Sequence, residues 1–264
     1  MLTTSRFVLP LTLVLAALAG CDGHGGGSSG PQPNANGDAN ASGLWRGSFT
    51  TVDGSSRGMD MIVAPDGRFV GVVASSGLNG RFVIGNGDTT LDTFTGSGTV
   101  FAQAGEALLP NGQQSGALTV SDGSVVAGRS LKGSYFGAGE SASFALGYND
   151  LTSRGASLDA ISGVYDVYPP PLVIDSTLVI SGSTLTFANN GGCNGAGTIR
   201  VIDPTMNIYS WSMLISACSG ADEDTFSGLA TLADNPRKGG RGNLIALYGV
   251  TKEHDRSFVF RGAK

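Results

Sequence analysis

Three cysteines carry the most definite chemistry in this sequence of 264 residues. Cys21 ends an apolar run near the N-terminus, whereas Cys193 lies in a glycine-rich turn and Cys218 follows a second apolar stretch. A thiol is acylated, oxidised to a disulfide or used as a nucleophile, and its neighbours decide among these fates. No Cys-x-x-Cys pair is present, and with only two histidines we expect no metal site and no cofactor.

Residues 1–20 have the organisation of a secretory signal peptide. Arg6 supplies a charged start, and an apolar run of 13 residues follows from Phe7 to Ala19. Small residues then stand where cleavage takes place. A membrane-spanning helix needs roughly 20 apolar residues, so this run favours a cleaved signal over a permanent membrane helix.

The end of this signal, Leu18-Ala19-Gly20-Cys21, resembles the lipobox of bacterial lipoproteins. The resemblance implies that the Cys21 thiol takes a diacylglyceryl group, that cleavage makes Cys21 the new N-terminus, and that its amine is then acylated by a chain such as palmitate. Two or more acyl chains anchor a protein stably, so membrane lipid is the expected partner. The alternative is a plain secretory signal with an incidental cysteine.

Asp22, the residue after the cysteine, resembles an inner-membrane retention signal of enteric bacteria. We expect the protein in the outer membrane and keep the inner membrane as the alternative.

Residues 21–42 combine the lipidated cysteine with a tether of Gly, Ser, Asn, Pro and Ala. Such a segment cannot bury enough apolar surface to offset its ordering entropy, so we expect it to be disordered. Its root-mean-square reach is on the order of 25 Å. His24 lies within it, and we expect this histidine to be solvated rather than bound to a metal.

With Cys21 used for lipidation, Cys193 and Cys218 remain as an even pair. An oxidising compartment outside the cytoplasm favours a disulfide between them. The bridge would close a loop of about 25 residues and stabilise the fold by about 3 to 4 kcal/mol in the chain-entropy model. A redox or nucleophilic thiol is the alternative, but neither cysteine has a histidine or a basic cluster nearby in sequence.

Other chemistry has little support. The net charge of −5 and the scattered basic residues argue against nucleic acid as a partner. Glycine-rich fragments lack the Lys-Ser/Thr or helix start of a phosphate loop. His254 lies in a predicted hairpin turn, and the run Asp222, Glu223, Asp224 lacks the spaced ligands of a calcium loop. No catalytic constellation emerges, so we expect no enzymatic activity, and no ligand-binding residue is assigned.

From Gly43 onward the chain reads as short strands and turns. We predict an all-β fold, an antiparallel sandwich or barrel, in two tandem modules spanning 43–155 and 156–264. Pro65-Asp66-Gly67 and Asp122-Gly123 each separate two strand-like runs and predict hairpin turns. A short turn within "SRGASLDAIS" is the best helical candidate. Aromatic residues at the module starts are predicted to be core, with ligand contact as the alternative; they are Trp45, Phe49, Tyr165 and Tyr168.

The two halves show landmarks in the same order, which indicates a repeat of about 110 residues. "SGLWRGSF" at 42–49 parallels "SGVYDVYP" at 162–169, and a hairpin follows in each half. "FTGSGTVFA" at 94–102 parallels "FSGLATLAD" at 226–234, and each half ends in a hairpin-like segment. The modules form either two separate barrels or one shared barrel or sandwich.

Two further resemblances concern the folded part. Over about 100 residues the second half resembles a module of uncharacterised proteobacterial lipoproteins, which implies no activity; the matching residues are Gly192, Cys193, Asn207, Tyr209 and Cys218. The glycine string after Cys21 and the stretch "LKGSYFGAGESASFALGY" resemble surface lipoproteins of the transferrin-binding protein B and factor H binding protein families. That resemblance implies barrel domains and carries over no binding residue.

Three functions are compatible with these features. The favoured one is an envelope lipoprotein whose β-rich head binds a small-molecule ligand or a protein partner. The second is a structural or assembly scaffold of the cell envelope. The third, a hydrolase without a recognisable motif, is the least favoured.

Overall fold

The computed structural model describes residues 39–74, 80–103, 107–167, 176–189, 192–216, 223–235 and 240–264. The predicted signal peptide and most of the predicted tether lie outside these residues. The described chain forms two separate closed barrels of eight antiparallel strands, which confirms the all-β fold in two tandem modules. In each barrel every strand pairs with the next, and the last strand pairs with the first.

The first barrel has the strands β1 Gly43–Thr51, β2 Ser56–Val63, β3 Arg68–Val73, β4 Arg81–Thr90, β5 Thr93–Ala102, β6 Ser115–Val126, β7 Ser130–Gly137 and β8 Glu140–Tyr148. A 3-10 helix, Asp150–Arg154, and a one-turn helix α1, Leu158–Ile161, connect it to the second barrel. The second barrel has the strands β9 Gly163–Val167, β10 Ser176–Ser181, β11 Thr184–Asn189, β12 Asn194–Val201, β13 Tyr209–Ser216, β14 Asp224–Asn235, β15 Gly240–Thr251 and β16 Ser257–Ala263.

The turn predictions have different outcomes. Pro65-Asp66-Gly67 does connect a hairpin, between β2 and β3. The hairpin predicted at Asp122-Gly123 is wrong, because both residues lie inside β6 at a register shift against β5 and β7. Asp122 has a φ of 51° there, so the Asp-Gly pair supplies the unusual backbone of a β-bulge instead of a turn.

Side chains fill both lumens, as an eight-stranded barrel is just wide enough to allow. In the first barrel the buried lumen residues include Trp45, Phe49, Met61, Phe69, Val83, Phe94, Val100, Leu118, Leu131, Tyr135, Phe144 and Leu146. In the second they include Tyr165, Leu178, Leu185, Phe187, Ile199, Trp211, Met213, Phe226, Leu232, Leu247 and Phe260. Each barrel therefore has its own packed core.

Glycines on the lumen side of the strands make room for these rings. A Cβ atom added to Gly133 would lie 2.6 Å from Cζ of Phe144, and one added to Gly249 would lie 2.5 Å from Cζ2 of Trp211. The close approach between ring and backbone therefore requires glycine at these positions. This packing accounts for some of the 42 glycines in the sequence.

The outer faces of the two barrels pack against each other through a third apolar cluster. The first barrel contributes Leu44, Ile62, Ala64, Val70, Val72, Phe82, Ile84 and Phe101 to this cluster. The second barrel contributes Met206, Ile208, Leu229, Ala246, Tyr248 and Val250. Strands such as β3 and β4 are thus buried on both faces, one toward the lumen and one toward the other barrel. Their sequences are correspondingly continuous apolar runs rather than alternations.

The connecting segment is held to both barrels by hydrogen bonds through Thr152. Its Oγ1 accepts from the Leu44 N–H at 2.8 Å, and its carbonyl accepts from the Asn207 N–H at 2.9 Å. The buried Asn207 amide donates to the Leu232 carbonyl at 2.7 Å and accepts from the Leu232 N–H at 3.2 Å. Asn207 therefore joins the connector to β14, which is a structural role.

The starts of the two barrels repeat the same local structure 120 residues apart. Gly43 and Gly163 have φ values of 146° and 152°. Two residues later, the buried Trp45 and Tyr165 each donate a 2.8 Å hydrogen bond to the carbonyl four residues before them. The match predicted between 42–49 and 162–169 therefore has a common geometric basis.

One of the predicted parallels is wrong. Residues 94–102 belong to β5, the fifth strand of the first barrel, whereas residues 226–234 belong to β14, the sixth strand of the second. The resemblance arises because both segments begin with a buried phenylalanine followed by small residues. The two predicted hairpin matches are correct. The first matched hairpin of each half is formed by the third and fourth strands of its barrel, and the last by the seventh and eighth strands.

Candidate binding cleft between the barrels

The aromatic residues at the module starts are core residues. Trp45, Phe49 and Tyr165 have at most 1% of their surface exposed, and all three point into the lumens. Tyr168 lies outside the described residues. The prediction of core positions is confirmed for the three described residues, and the packed lumens direct the search for a binding site to the outer surface.

A cleft of about 550 Å³ lies where the first three strands of the first barrel face β16 of the second. It is lined by Arg46, Gly47, Gly58, Met59, Asp60, Val72, Ala74, Gln103, Val259 and Arg261. A smaller pocket of about 140 Å³ adjoins it and shares Arg46, Asp60 and Arg261. The two barrels together form this site, since neither carries all three charged side chains.

Arg46 and Asp60 form a two-contact ion pair across the β1–β2 hairpin. The pair follows from the strand register, which places the two residues directly opposite each other. Nε of Arg46 lies 2.6 Å from Oδ1 of Asp60, and Nη2 lies 3.3 Å from Oδ2. The hydrogen bond and the negative charge of Asp60 raise the pKa of Arg46. Both side chains are largely exposed, so the pair adds little to stability and remains open to a ligand.

Arg261 lies on β16 with its guanidinium carbon 5.9 Å from the ring centroid of Tyr248. Tyr248 is buried between this cation and Phe82, with its ring centroid 6.2 Å from that of Phe82. Burial raises the pKa of the Tyr248 hydroxyl, and the nearby positive charges of Arg261 and Arg46 oppose the rise. Arg261 makes no ion pair with any carboxylate of the described ranges. Among the described residues, the cleft is therefore lined by two guanidinium groups and one carboxylate.

A second depression, of about 400 Å³, lies at one end of the first barrel. Arg81 and Glu140 line it with nearly buried side chains whose Nε and Oε2 atoms are 3.5 Å apart. Below them the Tyr135 hydroxyl is buried with no hydrogen-bond partner among the residues described. Burial, with the negative charge of Glu140, raises the pKa of Tyr135 well above its usual range. The charges here balance, so this depression selects no ligand charge.

Two of the three cysteines, Cys21 and Cys218, lie outside the described residues, as do Asp22 and His24. Cys193 is half-buried in the β11–β12 turn, where its N–H donates to Oδ1 of Asn189 at 3.0 Å. Its predicted pairing with Cys218 stays a prediction.

His254 lies in the β15–β16 turn, as predicted, with a φ of 54°. Its Nδ1 is 3.3 Å from Oγ1 of Thr99 in the first barrel, so the turn also contacts the other module. Of the acidic run, Asp222 is outside the described residues and Glu223 is exposed, while Asp224 pairs with Arg256. Within the described part of the chain no three Asp, Glu, His or Cys residues are grouped to hold a metal ion.

Comparison with protein-family models, with curated proteins and with solved structures finds no match to this chain. None of the described helices has the length and apolar character that crossing a membrane requires.

The sequence interpretation missed Arg46, Asp60 and Arg261. A signal for the first two was present, because the Asp53-Gly54 turn sets a register that places Arg46 opposite Asp60. No such signal existed for Arg261, since its approach to the pair depends on how the second barrel packs against the first.

Proposed function

We propose that this protein is an exported lipoprotein, anchored to the bacterial envelope through Cys21, whose double-barrel head binds a ligand or partner in the cleft between the barrels. The packing of both lumens is the observation that supports this proposal most. Because side chains occupy the interiors, binding is left to the outer surface. The cleft offers there what small-ligand sites usually have, a concave surface with a few convergent polar groups.

The position of the first described residues is consistent with a tethered head. The Ala39 N–H donates to the carbonyl of Leu91, in the β4–β5 turn, at 2.6 Å. The chain therefore joins the first barrel at the end of the barrel where this turn lies. A tether running from Cys21 to that point would let the head stand on the order of 25 Å from the membrane.

Metabolic labelling with radioactive palmitate tests the anchor. We expect the wild-type protein to be labelled and to sediment with membranes, and a Cys21→Ser variant to lose both properties. A Cys193→Ser variant is the matched control, because it removes a different cysteine and should keep the label. Label that persists in the Cys21→Ser protein would show that the anchor is assigned wrongly.

We also propose the Cys193–Cys218 disulfide. It is supported by the even pair of cysteines that remains once Cys21 is lipidated, and by the hydrogen-bonded turn that holds Cys193 in place. In a Cys21→Ser background, alkylation with a maleimide before reduction should modify no cysteine, and alkylation after reduction should modify two. Modification of Cys193 without prior reduction would contradict the pairing.

Fractionation on a density gradient tests the proposed outer-membrane location. We expect the wild-type protein in the outer-membrane fraction. If Asp22 retains the protein in the inner membrane instead, an Asp22→Ser variant should move to the outer membrane.

A further inference from the structure

We propose that the cleft between the barrels binds an amphiphilic anion, a carboxylate or phosphate group joined to an apolar body. This inference rests on the proposed function in taking the cleft as the binding site, and it names the chemical class of the ligand. The argument depends on the guanidinium of Arg261, which has no ion-pair partner among the described carboxylates, and on the exposed apolar surface beside it.

The charges of the cleft favour an anion. Among the described lining residues, two guanidinium groups face one carboxylate, which leaves one positive charge in excess on a protein whose net charge is −5. Arg46 is already oriented by its two contacts with Asp60, while Arg261 has no ion-pair partner among the described carboxylates and lies over Tyr248. A planar guanidinium held on an aromatic ring presents its remaining N–H groups in a fixed orientation, which suits a carboxylate or phosphate.

The walls of the cleft favour an apolar body attached to that anion. Val259, next but one to Arg261 on β16, has 46% of its surface exposed at the cleft. Val72 and Ala74 line the opposite side, on and just after β3. A volume of about 550 Å³ is within the range of roughly 300–1,000 Å³ that is typical of sites for small organic ligands. A free inorganic anion would leave this apolar surface in water.

Methyl NMR of the chain from residue 22 onward, which keeps every described residue, gives a local readout. The probes are octyl phosphate, octanoate, octanol and inorganic phosphate, each used at concentrations where it is monomeric. We expect the two amphiphilic anions to shift the methyl resonances of Val259. Val126 is the internal control, because it is exposed to a similar extent, 47%, on β6 outside the cleft.

Variants at the arginines test the role of charge. We expect Arg261→Gln to weaken octyl phosphate binding by about tenfold, the effect of losing one charge-assisted hydrogen bond. Arg261→Lys should lose less affinity, because it keeps the charge without the fork of donors. Arg200→Gln, an exposed arginine at the end of β12 away from the cleft, should bind as the wild type does. Raising the salt concentration should weaken binding of the anions.

Several results would overturn the inference. Equal affinity for octanol and octyl phosphate would show that the cleft binds apolar groups without selecting charge, and the cleft would still stand as the binding site. Equal affinity for inorganic phosphate and octyl phosphate would show that the apolar wall takes no part. No change at Val259 with any probe would overturn both the ligand class and the choice of the cleft, while the palmitate test of the anchor would be unaffected.

Discussion

Replacing Gly98 with alanine tests whether glycine is needed where two neighbouring strands of the first barrel approach each other closely. Gly98 lies on β5 directly opposite Gly85 on β4. A Cβ atom added there would lie 2.1 Å from the carbonyl oxygen of Ile84 and 2.7 Å from Cα of Gly85. Both atoms belong to the backbone, so no side-chain rotation relieves the contact, and the two strands must shift.

The expected cost is a net loss of about 2 kcal/mol in the free energy of unfolding. Overpacking a core costs about 1–3 kcal/mol, and the upper half of that range applies because the clash is with backbone. Alanine regains about 0.5–1 kcal/mol, because glycine loses more backbone entropy on folding. For a chain of this size, that loss lowers the melting temperature by about 4–8 °C.

Tryptophan fluorescence provides the assay, because the chain has two tryptophans and each lumen contains one of them. In a Trp211→Phe background, Trp45 alone reports on the first barrel. The matched control is Gly147→Ala on β8, where the added Cβ would have its nearest neighbour 3.8 Å away, at the Arg46 carbonyl oxygen. This variant should melt within 2 °C or so of the parent, or slightly above it.

The pair of variants makes the reasoning refutable. If Gly98→Ala melts with its parent, the strands accommodate a methyl group at that position and the close approach is not a constraint. If Gly147→Ala loses as much stability as Gly98→Ala, the effect is a general one of alanine in these strands and not of the clash.

Three further predictions concern other parts of the fold. Asn207→Ala removes both hydrogen bonds to the Leu232 backbone and leaves a buried donor and acceptor unpaired, so thermal unfolding should show a loss of about 2–4 kcal/mol. Phe82→Ala empties part of the interface against Tyr248 and should cost about 3–5 kcal/mol, and the fluorescence transitions of the two tryptophans should separate. Burial raises the pKa values of several tyrosines. These residues therefore favour the folded state below pH 10, the ordinary tyrosine pKa, and this contribution is lost as the pH rises through their folded-state pKa values. The absorbance of tyrosinate at high pH should therefore appear together with unfolding. These residues are Tyr135, Tyr148, Tyr165, Tyr209 and Tyr248.

Local sequence patterns were sufficient to predict strands and most hairpins. Alternation along β6 and β8 matches burial on one face only, and Pro65-Asp66-Gly67 forms the turn that its composition indicates. The error at Asp122 arose because the same Asp-Gly dipeptide suits both a hairpin turn and a β-bulge. Only the pairing of β6 with both neighbours distinguishes the two, and that pairing is not local in sequence.

The contact between the barrels had a sequence signal that was not interpreted. "RFVGVV" in β3 and "RFVIG" in β4 are apolar at successive positions, which indicates burial on both faces of a strand. A closed barrel has only one inner face, so a second surface had to cover the outer one. Residue spacing does not indicate which surface of the second barrel, on β14 and β15, covers these strands. It also does not indicate that Arg261 and Arg46 line the same cleft, because both facts depend on how the two barrels pack together.

The arrangement of the cleft depends on the same packing that fills the lumens. Along β2, Met61 points into the lumen, while its neighbours Asp60 and Ile62 point outward, to the cleft and to the barrel interface. A slip of one residue would bury the Asp60 carboxylate in the lumen and expose Met61, so the register is strongly determined. The packing of the lumen thus determines the position of Asp60, which orients Arg46. The packing between the barrels determines the position of Arg261 in the same cleft. A cleft whose charges are held in place before binding loses less conformational entropy on taking up a ligand.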